Sequence, residues 1–139
     1  MSNINDVRFI EFPCHDDGRG HLTVVEGGAD VPFEIKRIFY IYGTDVGAVR
    51  GSHANSKTEF VFINVSGTSK VKVIDRDGNE RVYLLDKPRT GLYLPKMIWK
   101  DMYDFSPESV LLVLASEHYD GSEYIRDFNN FLKEPPVYE

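Results

Sequence analysis

Short apolar runs that alternate with polar residues recur along almost the whole chain. They are rich in Val, Ile, Phe and Tyr, and Gly, Pro, Asp, Asn or Ser bounds each of them. Several of them alternate apolar and polar residues with a period of two, and short runs of this kind predict β-strands. The runs are VRFIEF (7–12), LTVVE (22–26), IKRIFYIYG (35–43), EFVFINVSG (59–67), SKVKVID (69–75), RVYLLD (81–86), TGLYLP (90–95) and VLLVLAS (110–116). The residues DRDGN (75–79) predict a hairpin turn between two of these strands.

The period changes near the end of the chain. In SEYIRDFNNFLKE (122–134), apolar residues lie at helical spacing at Ile125, Phe128, Phe131 and Leu132. Ser122 is a suitable N-cap, Glu123 follows in the first turn, and Pro135 and Pro136 would end the helix. The pattern therefore predicts one short amphipathic C-terminal helix.

Many short strands and one helix in 139 residues predict a single all-β domain that covers residues 1–139. An open sheet with so many strands would leave edges that must be covered, so a closed or double-sheet architecture is favoured. We expect a jelly roll or a small barrel, with any ligand bound at its mouth.

The charge and the composition exclude several classes of function. A net charge of −6, from 16 basic and 22 acidic residues, argues against a nucleic-acid surface. No apolar run has the length of a signal peptide or of a membrane span, so we expect a cytoplasmic protein with no membrane contact. Cys14 is the only cysteine, which excludes an intrachain disulfide.

One segment carries a recognisable set of polar residues. Residues 47–67, GAVRGSHANSKTEFVFINVSG, resemble the first motif of the cupin superfamily, in which a glycine precedes His-x-His and a glutamate follows. His53 and Glu59 match this motif, whereas Asn55 replaces the second histidine. Where the second cupin motif has a histidine beyond a proline, GLYLPKMIWKDMYDF (91–105) has Lys100. Because metal sites of this kind generally need at least three N, O or S ligands, we expect neither a metal nor another cofactor.

A closer resemblance extends over most of the chain. Its segments are DGRGHL (17–22), PFEIKRIFYIY (32–42), RGSHANSK (50–57), GLYLPKMIWKDMYDFS (91–106) and VLASEHYDGSEYIRDFNNF (113–131). They are similar to the small cupin ketoisomerases of the FdtA/QdtA group, which are WxcM-like. The resemblance implies a cupin jelly roll that binds a dTDP-linked 4-keto-6-deoxyhexose, and a homodimer with exchanged N-terminal strands. It also implies a metal-free isomerase that moves the ketone from C4 to C3, in deoxyamino-sugar and O-antigen biosynthesis.

The reaction itself indicates which residue types are needed. A base must remove the proton at C3, a donor must stabilise the enediolate oxygens, and an acid must protonate C4. An imidazole can perform both proton transfers, so His53 is the main candidate. Arg19, Lys100, Tyr40 and Asn55 are candidates for the donor, although an amide such as Asn55 transfers no proton at neutral pH.

Substrate binding requires further donors. Arg37, Arg50 and Lys57 are candidates for the diphosphate, and Tyr42 and Tyr103 for other parts of the substrate. For Lys100 and Tyr103, a solvated strand end beside acidic residues is a serious alternative.

Other functions stay open at this point. A 3,5-epimerase also begins by removing a proton next to a C4 ketone, but such enzymes typically use a His-Asp pair on a longer chain. A cupin that binds a nucleotide-sugar without turnover is favoured by Asn55, and a metal-dependent oxygenase would need stoichiometric iron or zinc. The configuration at C4 of the product is not determined by the sequence.

Overall fold

Antiparallel strands form most of the computed structural model, which describes residues 2–133. The strands are β1 (Arg8–Glu11), β2 (Cys14–Asp16), β3 (His21–Thr23), β4 (Arg37–Tyr42), β5 (Arg50–Asn55), β6 (Phe60–Ser66), β7 (Ser69–Ile74), β8 (Glu80–Leu85), β9 (Thr90–Leu94), β10 (Trp99–Tyr103), β11 (Val110–Ala115) and β12 (Tyr124–Ile125). A 3₁₀ turn, Ile4–Asp6, precedes β1, and another, Gly121–Glu123, precedes β12. The helix α1 (Phe128–Lys133) follows β12.

Ten of these strands form two sheets that pack face to face. The first sheet has the order β1-β9-β6-β11-β4 and the second has the order β12-β5-β10-β7-β8, while β2 and β3 form a separate hairpin. Neighbouring strands are antiparallel throughout both sheets. This arrangement confirms the predicted all-β jelly roll with one short C-terminal helix.

Apolar side chains form three clusters, one between the two sheets and one on the outer face of each sheet. The main cluster lies between the two sheets and includes Phe62, Val73, Leu92, Met102 and Val113. A second cluster covers the outer face of the first sheet, where Phe12, Val31 and Phe33 pack against Val61 and Ile63. The third lies under α1 on the outer face of the second sheet and contains Ala54, Ile74, Met97, Trp99 and Phe131. No helix within residues 2–133 has the length and hydropathy that a membrane span requires.

The predicted hairpin between β7 and β8 is confirmed, and its first residue also fixes the N-terminal segment. The Asp75 carboxylate accepts hydrogen bonds from the backbone N–H groups of Asp77 and Asn79, both within the turn. It also accepts one from the backbone N–H of Ile4. These bonds hold the pKa of Asp75 below its usual value despite burial of the carboxyl.

The predicted start of the C-terminal helix is wrong. Asp120, rather than Ser122, caps a 3₁₀ turn by accepting a hydrogen bond from the backbone N–H of Ser122. Tyr124 and Ile125 then pair with β5 as a strand, and the helix begins only at Phe128. Cross-strand pairing has overridden the local helical periodicity. Pro135 and Pro136, which were predicted to end the helix, lie outside the described residues.

Candidate active site

A β-bulge between β5 and β10 positions His53 and Lys100, two ionisable residues of the site. His53 is opposite Lys100, but Gly51 rather than Ser52 is opposite Asp101, so β5 carries one extra residue. Gly51 and Ser52 accordingly have positive φ angles of 90° and 54°. A Cβ atom on Gly51 would lie 3.0 Å from the carbonyl oxygen of Lys100 and 3.0 Å from Cε of Met102. Bulges of this kind re-aim side chains, and here the bulge leaves His53 directed into a cavity.

The His53 ring has one nitrogen engaged and the other available. Nδ1 lies 2.9 Å from the carbonyl oxygen of Gly51, which can only accept a hydrogen bond, so Nδ1 carries the proton. Burial, and next the positive charge of Lys100, lower the pKa of His53 to about 4. The imidazole is therefore neutral near pH 7, and its Nε2 lone pair can accept a proton. The Tyr124 ring packs against it with centroids 4.8 Å apart.

Lys100 is buried at the same site. Its Nζ donates a hydrogen bond of 2.8 Å to Oδ1 of Asn55 and lies 4.3 Å from the centre of the Phe60 ring. Burial lowers the pKa of Lys100 to about 7, with Arg37 acting in the same direction and the negative charge of Glu123 opposing it. Near neutral pH this amine can therefore serve as a cationic donor or as a proton-transfer group.

A cavity of about 200 Å³ connects these residues between the ends of the sheets. Phe60, Phe62 and Met102 form part of its apolar wall. Its polar edge contains Tyr40, Arg50, His53, Lys100 and Tyr124. The cavity combines a neutral imidazole, an amine with a lowered pKa and an arginine, which suits proton transfer on an anionic ligand.

Several residues predicted from the sequence are brought together here. His53, Lys100, Arg50 and Tyr40 line the cavity, although Tyr40 is 60% exposed and its ring stacks on Tyr42 on the outer face of β4. Asn55 is buried behind it and is joined to Lys100; its Nδ2 has no hydrogen-bond partner among the described residues.

Arg37 is a further cation close to Lys100. Its guanidinium lies 5.4 Å from the centre of the Phe39 ring and 5.6 Å from that of Tyr119. Its Nε and Nη2 are buried, and within residues 2–133 they have no hydrogen-bond partner. Unsatisfied buried donors of this kind are suited to an anion that enters from outside the chain.

Four other predicted residues do not line this cavity. Arg19 lies in the turn between β2 and β3, where its side chain is 87% exposed and pairs with Asp17. Tyr42 is on the exposed face of β4 and stacks on Tyr40. Tyr103 lies on the opposite face of β10 from Lys100, and Lys57 lines a different cavity.

Potential metal ligands lie in two other places. The Glu59 carboxylate accepts a hydrogen bond of 2.5 Å from the Tyr93 hydroxyl in a second cavity of about 430 Å³, so it does not converge with His53. Elsewhere, Cys14, Asp16 and His21 of the β2–β3 hairpin place three possible ligand atoms within 4.8 Å of one another. Both carboxylate-containing groups are thus outside the cavity that His53 lines.

Sequence reasoning missed the segment that closes the site, residues 119–126. Tyr124 packs against His53 and also against Tyr119, and the Arg126 guanidinium lies 4.8 Å from the centre of the Tyr124 ring. Glu123 is buried beneath this layer. The helical spacing of the apolar residues masked these roles, and only the pairing of β12 with β5 brings the segment to the cavity.

Comparison with known proteins gives matches over nearly the whole chain. The FdtA family model, described as "WxcM-like, C-terminal", matches residues 5–135. A TDP-4-oxo-6-deoxy-alpha-D-glucose-3,4-oxoisomerase from Aneurinibacillus thermoaerophilus is 41% identical over 127 residues, which are 91% of this chain and 90% of that protein. QdtA, a sugar 3,4-ketoisomerase from Thermoanaerobacterium thermosaccharolyticum solved in complex with TDP, is 40% identical. Its TM-score is 0.90, with 94% of this chain and 95% of that chain covered.

A more distant structure has a similar fold but a different named activity. ChmJ, a 3′-monoepimerase from Streptomyces bikiniensis, has a TM-score of 0.74 but is only 18% identical, over 85% of this chain and 67% of that one. This likeness shows the shared fold alone. The family match and the two similar ketoisomerases are far more specific, and they agree with the cavity around His53. The chain therefore belongs to the FdtA (WxcM-like) family of sugar 3,4-ketoisomerases.

Proposed function

We propose that this protein is an isomerase that converts dTDP-4-keto-6-deoxy-D-glucose to a dTDP-3-keto-6-deoxyhexose. The observation that carries the proposal is the placement of a neutral imidazole, His53, opposite a buried Lys100 in one cavity of a chain from this family. The reaction is an internal redox exchange between neighbouring carbons, so it needs no external oxidant or reductant.

In the first step, Nε2 of His53 removes the proton from C3. The electrons of the C3–H bond form a double bond between C3 and C4, and the C4 carbonyl oxygen becomes an enediolate oxygen. The hydrogen bond from Nδ1 to Gly51 holds the tautomer in which Nε2 is free to accept this proton.

In the second step, the hydroxyl proton on the C3 oxygen passes to the C4 oxygen, the C3 carbonyl forms, and C4 takes up a proton. Protonated Lys100 stabilises the negative oxygen during both steps, and the hydrogen bond to Asn55 directs its amine. The proton on His53 exchanges with solvent, and His53 then delivers a proton to C4. Which face of C4 is protonated decides whether the product has the gluco or the galacto configuration.

The diphosphate requires positive charge near the cavity. Arg50 lines the cavity, and the unpartnered Nε and Nη2 of Arg37 can receive two phosphate oxygens. Lys57, Tyr42 and Tyr103 lie farther from His53, so their proposed contacts would be to outer parts of the nucleotide. Tyr40, at the cavity edge, is proposed to donate to a sugar oxygen.

The protein is further proposed to act as a homodimer with exchanged N-terminal strands. The outer face of β4, at the edge of the first sheet, exposes Ile38, Tyr40 and Tyr42, and the β2–β3 hairpin exposes Leu22. Exchange of the N-terminal strands would cover such apolar surface and would bring Arg19 to the site of the partner. Light scattering after size-exclusion chromatography tests this state, because a monomeric mass would refute it.

The cellular role follows from the proposed substrate. We place the enzyme in the cytoplasm, in the formation of deoxyamino sugars for surface polysaccharide such as O-antigen. The 3-keto product would next be aminated at C3 by an enzyme of the aminotransferase class.

The test is an NMR time course of dTDP-4-keto-6-deoxy-D-glucose with metal-stripped protein in D₂O, followed at C3 and C4. A 3-keto product with deuterium at C4 supports the proposal and identifies the configuration. The His53→Asn variant serves as the control and should give no product.

The other functions give different spectra. A retained C4 ketone with deuterium and inversion at C3 or C5 would identify an epimerase. Line broadening without any exchange would identify a protein that binds the nucleotide-sugar without turnover, and either result would overturn the proposal.

A further inference from the structure

We propose that Glu123 is a positioning residue, which fixes the charge state of Lys100 and the place of Asn55 without touching the substrate. The catalytic importance of Glu123 rests on the proposed function. Its effect on Lys100 and Asn55 can be measured without substrate. Neither the cupin motif nor the catalytic requirements of the reaction point to this residue.

Glu123 is a carboxylate that the fold has enclosed. Glu123 is only 3% exposed to solvent. Oε1 accepts hydrogen bonds of 2.9 Å from the backbone N–H groups of Lys57 and Thr58, and Oε2 accepts one from the Thr58 hydroxyl. Three donors converge on this one carboxylate, so its place beneath the site is fixed.

The same residue joins the two segments that form the site wall. The backbone N–H of Ser56 donates to the carbonyl oxygen of Glu123, and Tyr124 pairs with Asn55 across β12 and β5. Asn55 supplies the oxygen that accepts the hydrogen bond from Lys100, and Tyr124 packs on His53. Glu123 therefore aligns the partner of the amine and the partner of the imidazole at once.

The charges around Lys100 differ in sign. Arg37, from β4, lies on the inner side of the first sheet and disfavours the protonated amine, whereas Glu123 favours it. His53 is opposite Lys100 on β5, and Asn55 and the Phe60 ring are neutral contacts. Glu123 is thus the negative charge that acts against burial, and without it the amine would lose its proton at a lower pH.

The decisive experiment measures the Lys100 amine directly. Protein labelled with ¹³C at lysine Cε is titrated by NMR without substrate, and the Lys100→Met variant identifies the resonance. In the Glu123→Gln variant we expect the Lys100 pKa to fall by about one pH unit, the size expected for loss of one nearby charge. An unchanged Lys100 titration in Glu123→Gln would overturn the inference.

Thr58→Val is the matched control. It removes one hydrogen bond to the same carboxylate from a residue that is fully buried, but it leaves the charge in place. We expect a smaller change in the Lys100 pKa than in Glu123→Gln. Equal changes in both variants would mean that local packing, and not charge, acts on Lys100, and would also overturn the inference.

Two further arms keep the result interpretable. If Glu123→Gln fails to fold, Glu123→Asp replaces it, because the shorter side chain moves the carboxylate away but keeps its charge. We then expect the Lys100 pKa to fall as well. An unchanged Lys100 pKa in Glu123→Asp would refute the role of Glu123. In activity assays, the alkaline limb of kcat/KM in Glu123→Gln should move down by the same amount as the NMR titration. A changed titration in a protein that never isomerises the sugar would refute the proposed function while leaving the control of the Lys100 charge established.

Discussion

Two cavities lie on either side of the turn between β5 and β6, and they contain similar residue types with different chemistry. The His53 cavity has an apolar wall, and burial there lowers the pKa of both His53 and Lys100. The second cavity is larger and more open to solvent, and its Glu59 is hydrogen-bonded to Tyr93. Glu59 and Tyr93 satisfy each other by a hydrogen bond, whereas the buried polar groups around His53 are only partly satisfied and have shifted pKa values. Groups of the second kind are typical of reactive sites.

Correct motif spacing does not ensure that two side chains converge on one site. His53 and Glu59 both match the cupin motif by their spacing, yet they face separate cavities. On a strand, a change of one position reverses the face to which a side chain points. The bulge at Gly51–Ser52 adds one such change on β5 just before His53, whereas Glu59 lies beyond the end of β5.

The largest expected effect comes from His53→Asn. Removal of the only imidazole in the His53 cavity, as described within residues 2–133, should lower kcat by about two to four powers of ten, as is usual for loss of an acid-base group. Binding of dTDP should change little. Steady-state kinetics and calorimetric titration with dTDP measure the two effects, and full activity in the variant would remove His53 from the mechanism.

Lys100→Met should have the next largest effect, with kcat lowered about 100-fold through loss of one oxyanion donor. It should also change stability with pH in a defined direction. The folded pKa of about 7 lies below the ordinary 10.5, so the cost of the charged, buried amine is fully present below pH 7 and disappears as the pH rises toward 10.5.

The stability of Lys100→Met relative to the unchanged protein should therefore be greater at about pH 6 than at about pH 9. Thermal unfolding at the two pH values measures this difference. No difference between the two pH values would mean that the amine is solvated in the folded protein, and a difference of the opposite sign would mean that the fold favours the charged amine.

The pH dependence of kcat/KM gives a third, smaller effect across the working range. Activity requires neutral His53 and protonated Lys100, whose pKa values are about 4 and about 7. We expect a bell-shaped profile that falls about tenfold per pH unit beyond each limb. Because the two groups interact, the limbs belong to the pair. Activity that keeps rising above pH 8 would show that Lys100 acts as a neutral base.

Glu59→Gln should have the smallest effect, and it tests whether the second cavity contributes to catalysis. Glutamine keeps an acceptor for the Tyr93 hydroxyl, so stability should fall by no more than about 1 kcal/mol. Because Glu59 lies outside the His53 cavity, kcat should change by less than about twofold. A large loss of kcat would mean that the two cavities are functionally connected.

The overall architecture was predictable because its signals are local. Runs such as EFVFINVSG and VLLVLAS are short, apolar and bounded by turn residues, and they became β6 and β11. Four strands, β2, β5, β10 and β12, were missed. RGSHAN in β5 consists largely of residues that favour turns, and it is extended because β10 and β12 pair with it on both sides. Such pairing depends on distant residues and has no local signal.

The site was predictable only in part, for a similar reason. His53, Lys100 and Arg50 were found through motif spacing and charge, and they do line one cavity. Glu123 and Tyr124 were assigned to a helix because the apolar residues Ile125 and Phe131 are at helical spacing. In the structure Ile125 lies on β12 and Phe131 on α1, and both pack in the third cluster. The exposed position of Arg19 could not have been predicted from its DGRG turn alone.

The burial of Lys100 makes one amine chemically distinct from its fellow lysines. A lysine with the ordinary pKa of 10.5 is almost entirely protonated at neutral pH, whereas about half of a population with a pKa of about 7 carries a free lone pair. That difference is roughly a thousandfold in nucleophile concentration. A small electrophile shaped to enter the cavity should therefore acylate Lys100 selectively, which makes this position a natural anchor for a covalent inhibitor.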